Sequence, residues 1–494
     1  DTADRSYEDS ISPEVYAAER EAIFKRTWLN VGRVEQLPRK GTYFTRELDA
    51  AYTSVIVVKG LDEEVRAFHN ICRHRGNKLV WQDFPRDETS GSCRQFTCKY
   101  HGWRYDLEGA LTFVQQQSEF FDLDLSEYGL VPVRCEVWEG FIFVNFDPDA
   151  PALDDYLGKY GEGLKGYPFG EMTQVHRYRA EIGSNWKLFI DAFMEFYHAP
   201  VLHSKQAVDE ESRKLQEYGY EALHYDVDGP HSMIASWGGM SPPKDLNMVK
   251  PIERVLESGL FGPWQIPDVE GLALDQLPEA VNPTGHKAWG LDTYFFFPNF
   301  NILVWKTGWV LTYHYWPTGH GSHIFEGTCY FVPPRNAFER LQQELAVVTF
   351  KEYALQDGNT LETTSAAGAA RSASRPSPRR THAHAPRRLR RPRAVRRLGP
   401  AQRVRPLRQA HRIHPGRAAG VLRRRLPPAP GQHRLPEVGV DGRDLRRGPQ
   451  PAVAVLLAGD RVVPGRGVAP AARARERGGD LRRGGRAPAL SRGL

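Results

Sequence analysis

The sequence predicts an α+β protein in which a β-rich domain is followed by a domain with an antiparallel sheet and helices, and then by a disordered tail. Residues 43–147 and 293–332 contain short runs of branched and aromatic residues between turns, a pattern typical of strands. Apolar residues recur at helical spacing in residues 186–197 and 336–362. The composition then changes to Arg, Pro, Ala and Gly, which predicts disorder in residues 365–494.

These patterns divide the chain of 494 residues into four segments. Residues 1–42 are predicted to be a helical segment, because Ser12-Pro13 matches an N-cap followed by the first helical position. This segment is expected to pack on the second domain. The β-rich domain covers residues 43–150, and the second domain covers residues 151–364. Residues 365–494 form the tail.

Charge and aromatic content also separate the tail from the rest. The net charge of +6 divides into −20 for residues 1–370 and +26 for residues 371–494, which contain 32 Arg, no Lys and six acidic residues. All 55 aromatic residues precede residue 354. A segment with this composition cannot bury enough apolar surface to offset its ordering entropy, so it is not expected to form a packed domain.

Two explanations of the tail are open. Arg-rich disordered segments bind nucleic acids through phosphate contacts. Natural basic arms, however, mix Lys with Arg, whereas this tail has the residues of GC-rich codons and lacks Lys, Phe, Tyr, Asn and Met. We therefore favour the hypothesis that the coding frame is lost shortly after Glu362, and we do not expect a nucleic-acid partner.

The sequence also indicates a cellular location. No apolar run approaches the roughly 18 residues of a membrane span, and no signal peptide is visible. The five Cys are few and odd in number, which argues against a disulfide framework and favours metal-binding or structural roles in a reducing compartment. We therefore expect a cytoplasmic protein that does not bind membranes.

Two motifs in the β-rich domain each pair a Cys with a His: Cys72-Arg73-His74 and Cys98-Lys99-Tyr100-His101. Two Cys and two His could bind a tetrahedral zinc ion, or a [2Fe–2S] cluster with the Cys on one iron and the His on the other. The spacing of CxH and CxxHGW is the Rieske pattern and favours the cluster. Gly76 and Gly102 follow the motifs closely, as tight loops require.

The sequence resembles the large (α) subunit of Rieske non-haem iron aromatic-ring-hydroxylating oxygenases. The resemblance rests on CRHRGNKLV, FTCKYHGWRYDLEGAL and VWEGFIFVNFDP, and it extends from about Ser12 to Thr364. It implies a β-rich Rieske [2Fe–2S] domain followed by a catalytic domain with one mononuclear Fe(II). The cluster ligands that it implies are Cys72, His74, Cys98 and His101.

The resemblance also implies ligands for the mononuclear iron. The stretch from Asn185 to His203 follows the family pattern NWK…ExYHxxxxH, which points to His198 and His203. Two imidazoles and one carboxylate leave positions of an Fe(II) open for dioxygen and substrate. The family's carboxylate lies in a DxxxxET stretch, which favours Asp357, with Glu362 as the alternative.

Glu195 is predicted to lie one helical turn before His198 on the same face, in a helix that Pro200 should end or kink. In the family, an acidic residue here hydrogen-bonds a His of the mononuclear site and, across a subunit boundary, a Rieske His. The resemblance therefore implies that Glu195 carries electrons between His198 and the partner subunit's His101.

Aromatic residues near the iron ligands in sequence, or on the strands that follow, are candidates for the substrate pocket. They predict an aromatic or apolar substrate. They are Phe193, Phe296, Phe297, Phe300, Trp305 and Trp309.

The resemblance implies the terminal oxygenase component of a multi-component system that uses O2 to dihydroxylate or monohydroxylate its substrate. A ferredoxin and/or a flavin reductase would supply electrons from NAD(P)H, since the chain has no dinucleotide fingerprint. A homotrimer, with or without a small β subunit, is expected. Two alternatives are open: a monooxygenase acting on a quaternary amine or an aromatic acid, and a Rieske ferredoxin that only transfers electrons.

Overall fold

The computed structural model describes residues 8–371, except residues 84–85, 88, 197, 204–223, 237–246, 248, 257–276 and 287–288. The α-helices of the described residues are α1 (Glu8–Ile11), α2 (Pro13–Glu19), α3 (Leu153–Gly163), α4 (Trp186–Phe193), α5 (Ala199–Leu202), α6 (Pro251–Leu256) and α7 (Ala337–Arg371). A π-helical turn, Arg20–Phe24, follows α2 directly.

The strands of the described residues are β1 (Leu29–Arg33), β2 (Thr42–Leu48), β3 (Thr53–Lys59), β4 (Val65–His69), β5 (Gln82–Asp83), β6 (Arg86–Asp87), β7 (Ser90–Ser92), β8 (Phe96–Thr97), β9 (Arg104–Tyr105), β10 (Leu111–Phe113), β11 (Pro132–Trp138), β12 (Phe141–Asn145), β13 (Gln174–Ile182), β14 (His224–Asp228), β15 (His231–Ser236), β16 (Leu291–Phe296), β17 (Phe300–Trp305), β18 (Trp309–Gly319) and β19 (Ser322–Phe331).

These strands form two large antiparallel sheets. The first has the order β1-β12-β11-β4-β3-β2-β7, and a small sheet, β10-β9-β8, accompanies it. The second has the order β13-β19-β18-β17-β16-β15-β14. Helices α4 and α7 contact each other, and both pack on this second sheet. The predicted α+β class, with a β-rich domain and a domain of antiparallel sheet and helices, is confirmed.

The two faces of the second sheet have different neighbours, because successive residues of a strand point to opposite faces. On one face, Tyr315 packs against Phe189 of α4. On the other face, Phe300 packs against Phe141 of the first sheet, with ring centroids 5.5 Å apart. Helix α3 contributes Leu157 to the core on this second face. Each face is thus buried, and only one of them faces α4 and α7.

In the N-terminal segment the α-helix and the π-helical turn end at Phe24, and the next helical element is a short 3-10 turn at Val34–Gln36. Glu19 accepts a hydrogen bond from the indole of Trp186 at 3.2 Å and pairs with Lys187, so α2 is fixed to the start of α4. Leu29–Arg33, within the segment predicted to be helical, is instead the edge strand of the first sheet and pairs with β12. Leu29 and Val31, two positions apart, share one face of this strand and are buried in the core.

Helix α7 begins where the sequence predicts it, since the Asn336 side chain accepts a hydrogen bond from the backbone N–H of Glu339 at 3.0 Å. It continues to Arg371, so residues 365–371 are helical and the prediction of disorder from residue 365 is wrong for these seven residues. Four Ala in this stretch favour the helix. The rest of the tail prediction, for residues 372–494, lies outside the described residues. No helix among the described residues has the length and apolarity to cross a bilayer.

A buried ion pair joins the two large sheets. The carboxylate of Glu326 on β19 accepts hydrogen bonds from Nη1 of Arg46 on β2 at 2.8 and 3.0 Å, and from the indole of Trp316 at 3.1 Å. Burial raises the pKa of Glu326, but Arg46, together with the smaller effects of His314, Arg177 and Arg179, outweighs burial and lowers the pKa to about 2. The ionised carboxylate therefore stabilises the contact between the sheets.

We expect Glu326→Gln to lower the free energy of unfolding at pH 7 by about 3 kcal/mol, because it leaves the Arg46 charge without its buried partner. Since the folded pKa of Glu326 is depressed, the stabilisation is present above about pH 4.5 and is lost as the pH falls towards 2. Urea denaturation between pH 3 and pH 7 measures both effects. Glu344→Gln, which removes an exposed pair with Arg340, should cost less than about 0.5 kcal/mol. Equal losses in the two variants would contradict the prediction.

Candidate metal centres

The segment that carries the predicted iron ligands is not one continuous helix. Helix α4 is capped by the Asn185 side chain, which accepts a hydrogen bond from Lys187 N at 3.0 Å, and it ends at Phe193. Glu195 lies beyond this end, so its predicted position within the helix is wrong. Pro200 lies in the first turn of α5, where its missing N–H has no partner to lose. A helix continued through Pro200 would instead lose a hydrogen bond and clash with the preceding turn.

Three side chains converge, two from the N-cap and the C-cap of α5 and one from α7. Nε2 of His198 and Nε2 of His203 lie 3.6 and 3.5 Å from Oδ1 of Asp357. Among the described residues, these three form the one group of three or more His, Cys, Asp or Glu whose ligand atoms all lie within 4.8 Å of one another. Two imidazoles and one carboxylate in this arrangement could hold a divalent transition metal with open positions.

Each imidazole is oriented through its other nitrogen. Nδ1 of His198 donates to Oε1 of Glu195 at 2.6 Å, and Nδ1 of His203 donates to Oε1 of Gln356 at 2.9 Å. In the tautomer that donates from Nδ1, each Nε2 carries a lone pair directed towards Asp357. Such partners fix the orientation of metal-ligating histidines.

The electrostatics of the group fit a bound cation. Asp357 is 2% exposed and its Oδ2 has no hydrogen-bond partner, and burial raises its pKa to about 7. Burial and the nearby His198 lower the pKa of His203 to about 3. Burial also opposes the charged form of His198, but the hydrogen bond to Glu195 and the negative charges of Asp357 and Glu195 together outweigh burial and raise the pKa of His198. A buried carboxylate beside a neutral imidazole is costly by itself, and a divalent metal would compensate its charge.

The alternative carboxylate has a different role. Oε1 of Glu362 accepts a hydrogen bond from the backbone N–H of Gly183 at 2.7 Å, at the turn between β13 and α4. Five residues separate it from Asp357 along α7, so the two side chains point to different sides of the helix. Only Asp357 lies with His198 and His203.

The two Cys–His loops of the β-rich domain have the same backbone geometry. Cys72 N donates to the carbonyl of Asn77 at 2.8 Å, and Cys98 N donates to the carbonyl of Trp103 at 2.8 Å. In each loop the fifth residue, Gly76 or Gly102, donates back to the Cys carbonyl with φ near +70°, a conformation that favours glycine. The repeated geometry presents two thiols and two imidazoles in a matching way.

The environment of these loops is compatible with a [2Fe–2S] cluster. The rings of His74 and His101 lie 4.6 Å apart, and Nδ1 of His74 is buried without a hydrogen-bond partner. The hydroxyl of Tyr105 lies 3.3 Å from Sγ of Cys72. Burial raises the pKa of Cys72, so a buried thiolate here needs a cationic partner.

The spacing of these ligands argues against zinc. Four ligands of one tetrahedral zinc ion lie within roughly 4 Å of one another, because the bond lengths are about 2.0–2.3 Å. The four Cys and His side chains do not include any group of three that is so compact. A wider arrangement is expected for a cluster in which each iron takes two protein ligands.

The pocket candidates separate into two sets. Phe296 and Phe300 are each 1% exposed and pack on Trp138 and Phe141, on the face of the second sheet that is turned away from α4 and α7. The prediction that they line a pocket beside the iron is therefore wrong, because sequence proximity does not reveal which face of a strand a residue occupies.

The other candidates lie on the face towards the helices. Phe193 packs against Tyr313 with ring centroids 4.7 Å apart, and Trp305 and Trp309 pack against Phe350 of α7. Phe297 is partly buried at the edge of the same core. Of this set, Trp305 and Trp309 connect to the metal site through ring contacts, because Phe350 packs against Tyr353 with centroids 5.4 Å apart and Tyr353 stacks on His203.

Sequence reasoning missed two residues at the site. The ring of Tyr353 stacks on His203 with centroids 4.2 Å apart, and Gln356 binds the same imidazole. The spacing of Tyr353 and Asp357, four residues apart on a helix, could have indicated a shared face. Gln356 has no comparable signal in the sequence.

A β-rich domain with two Cys–His loops, joined to a domain with a two-His, one-carboxylate site, defines the class of Rieske non-haem iron proteins. Two family models agree with this class. The Rieske [2Fe–2S] domain model matches residues 27–129, and the model of the ring hydroxylating alpha subunit (catalytic domain) matches residues 169–387. The chain therefore has a Rieske [2Fe–2S] domain followed by the catalytic domain of a ring hydroxylating alpha subunit, and these two kinds of domain hold a [2Fe–2S] cluster and a mononuclear iron.

Curated relatives are oxygenase subunits. The chain is 36% identical over 191 residues to the glycine betaine monooxygenase oxygenase subunit of Chromohalobacter salexigens, and 30% identical over 195 residues to the carnitine monooxygenase oxygenase subunit of Acinetobacter baumannii. Each alignment covers 39% of this chain, and they cover 41% and 50% of the respective relatives. The chain thus matches half or less of the length of these proteins.

Solved structures share the fold. A quaternary ammonium Rieske monooxygenase in complex with an inhibitor aligns with a TM-score of 0.57 and 19% identity, over 74% of this chain and 86% of that one. Naphthalene 1,2-dioxygenase bound to phenanthrene aligns with a TM-score of 0.57 and 23% identity, over 74% and 80%. Both likenesses establish the two-domain architecture.

Proposed function

We propose that this chain is the terminal oxygenase component of a multi-component Rieske oxygenase. The observation that carries the proposal is the convergence of His198, His203 and Asp357 in a chain that also has a Rieske domain. A protein that only relays electrons has no use for a second, buried site with open coordination positions. This argues against the electron-transfer alternative.

In this proposal, the side chains of Cys72, His74, Cys98 and His101 hold the cluster, and His198, His203 and Asp357 hold the iron. When bound, the iron supplies dioxygen activation and the cluster supplies electrons. The protein holds the ligands in a buried site, where Asp357 is 2% exposed and water has little access. Glu195 orients His198 through its hydrogen bond to Nδ1 and lies where an electron could enter the site.

We further propose that the substrate is a quaternary amine. The relatives named for glycine betaine and carnitine support this class. Aromatic rings in the same core, Tyr353 stacked on His203 and Phe193 packed against Tyr313, also support it, because aromatic faces attract quaternary ammonium groups. Monooxygenation would place one oxygen atom of O2 in the substrate and release the other as water, with two electrons and two protons taken up.

We propose that a ferredoxin and/or a flavin reductase supplies these electrons from NAD(P)H in the cytoplasm. A homotrimer, with or without a β subunit, would bring a second copy to Glu195, whose side chain is 32% exposed beside His198. Exposure at this position supports a role for the carboxylate across a subunit boundary.

Single-turnover chemistry tests the proposed function. The full-length protein, with both centres loaded and chemically reduced, is mixed with 18O2 and a panel of quaternary amines, aromatic acids and neutral aromatics. Mass spectrometry then reports which substrate is oxidised and how many labelled atoms it gains. We expect oxidation of a quaternary amine with one labelled atom. Dihydroxylation of an aromatic compound would show that the substrate is aromatic and not a quaternary amine. If no panel member were oxidised, the oxygenase proposal would be contradicted.

The hydroxyl of Tyr105 allows a prediction for the cluster. It contacts Sγ of Cys72 at 3.3 Å and accepts a hydrogen bond from Arg73 N at 3.0 Å. Hydrogen bonds to cluster sulfurs raise the reduction potential, so Tyr105→Phe should lower it. Potentiometric titration followed by EPR measures the change. Tyr128→Phe, at a ring that packs near Trp103, is the matched control and should leave the potential unchanged. An unchanged potential in Tyr105→Phe would refute this role.

A further inference from the structure

We propose that Gln356 is a positioning residue for the mononuclear site, and that it fixes His203 in the tautomer and orientation that a metal requires. The inference rests on the proposed function of this site and deepens it. Oε1 of Gln356 lies 2.9 Å from Nδ1 of His203, on the side of the ring opposite to the Nε2 that faces Asp357. Gln356 and Asp357 are neighbours on α7, so one helix provides both contacts.

His203 depends on α7 because its own helix provides little support. Helix α5 has four residues and His203 is its C-cap, with one backbone hydrogen bond to the carbonyl of Ala199. A single helical turn is marginal by itself. The imidazole is instead held from α7, by the stacked ring of Tyr353 at 4.2 Å and by the hydrogen bond to Gln356.

The two histidines therefore have different supports. His198 is oriented by Glu195, a charged residue three positions away in sequence. His203 is oriented by Gln356, a neutral residue 153 positions away. The neutral amide of Gln356 accepts the hydrogen bond from Nδ1 of His203 without supplying a charge. The role of Gln356 is therefore to accept one hydrogen bond, and this role does not depend on a charge.

Metal binding measures this role without turnover. The mononuclear site of the full-length protein is emptied with a ferrous chelator, the cluster content is checked by absorbance, and Co(II) is titrated while its visible absorption is recorded. We expect Gln356→Leu to weaken Co(II) binding by roughly 10–100-fold, the usual loss when an outer-shell partner of a ligand is removed. Gln356→Glu retains an acceptor and should bind within about threefold of the wild type.

Gln356→Met keeps the size of the side chain and serves if the Leu variant does not fold. Gln343→Leu makes the same change elsewhere on α7, where the Gln343 side chain donates to the carbonyl of Val332, and it should bind Co(II) normally. Normal binding by both apolar variants, or equal weakening by Gln356→Glu, would overturn the inference. His203→Ala and Asp357→Ala test the metal site itself. If these two variants bind Co(II) normally, the proposed function fails. If they lose Co(II) binding while the Gln356 variants bind it normally, only the inference about Gln356 fails.

Discussion

Replacing Asp357 with Ala is expected to remove the mononuclear iron and abolish oxygenation while the cluster spectrum is unchanged. The carboxylate is 2% exposed, and its Oδ1 lies within 3.6 Å of Nε2 of both His198 and His203. Loss of an outer-shell partner alone costs roughly 10–100-fold in metal affinity, so loss of the carboxylate should cost more than about 100-fold. Iron analysis and the absorbance of the cluster measure the two centres separately.

Glu362→Ala is the matched control for this change. It removes the other carboxylate of the same stretch, which accepts a hydrogen bond from Gly183 N. We expect its iron content to match that of the wild type, with a loss of stability of about 1 kcal/mol from the missing hydrogen bond. Iron loss in Glu362→Ala together with full iron content in Asp357→Ala would reverse the assignment of the carboxylate.

Glu195→Gln is expected to leave both centres loaded but to prevent coupled turnover. The amide oxygen can still accept the hydrogen bond from Nδ1 of His198, so the ring keeps its orientation. The negative charge that stabilises a proton on this imidazole is lost, and the raised pKa of His198 depends partly on that charge. We expect the rate of electron transfer from the cluster to the iron to fall by at least roughly 10–100-fold.

Rapid mixing of the reduced protein with O2 and substrate, followed by the visible absorbance of the cluster, measures this rate. Asp191→Asn makes the same carboxylate-to-amide change on the exposed side of α4 and should leave the rate unchanged. A wild-type rate in Glu195→Gln would exclude the bridging role. Iron loss in this variant would instead assign Glu195 to metal binding.

The family and the identity of the candidate ligands could be predicted from the sequence because both depend on local spacing. CxH and CxxH require the same short loop, and the structure has this loop twice, with Gly76 and Gly102 at equivalent positions. Similarly, the single helical turn of α5 separates His198 from His203, so this short element is enough to bring the two imidazoles to one site. The sequence also predicts the start of α7, because the Asn336 cap acts within a few residues.

The tertiary structure decided the contacts between residues that are distant in the chain. The choice of Asp357 over Glu362 depends on which side of α7 faces α5, and the role of Gln356 depends on the same packing. The positions of Phe296 and Phe300 depend on which face of the second sheet meets the first. In helices and strands alike, a shift of one residue turns a side chain to another side. Local sequence patterns predict the helices and strands but not which elements pack against them. The sequence by itself therefore determined the ligand types and the fold class. The packing of α5, α7 and the two sheets determined the completed site.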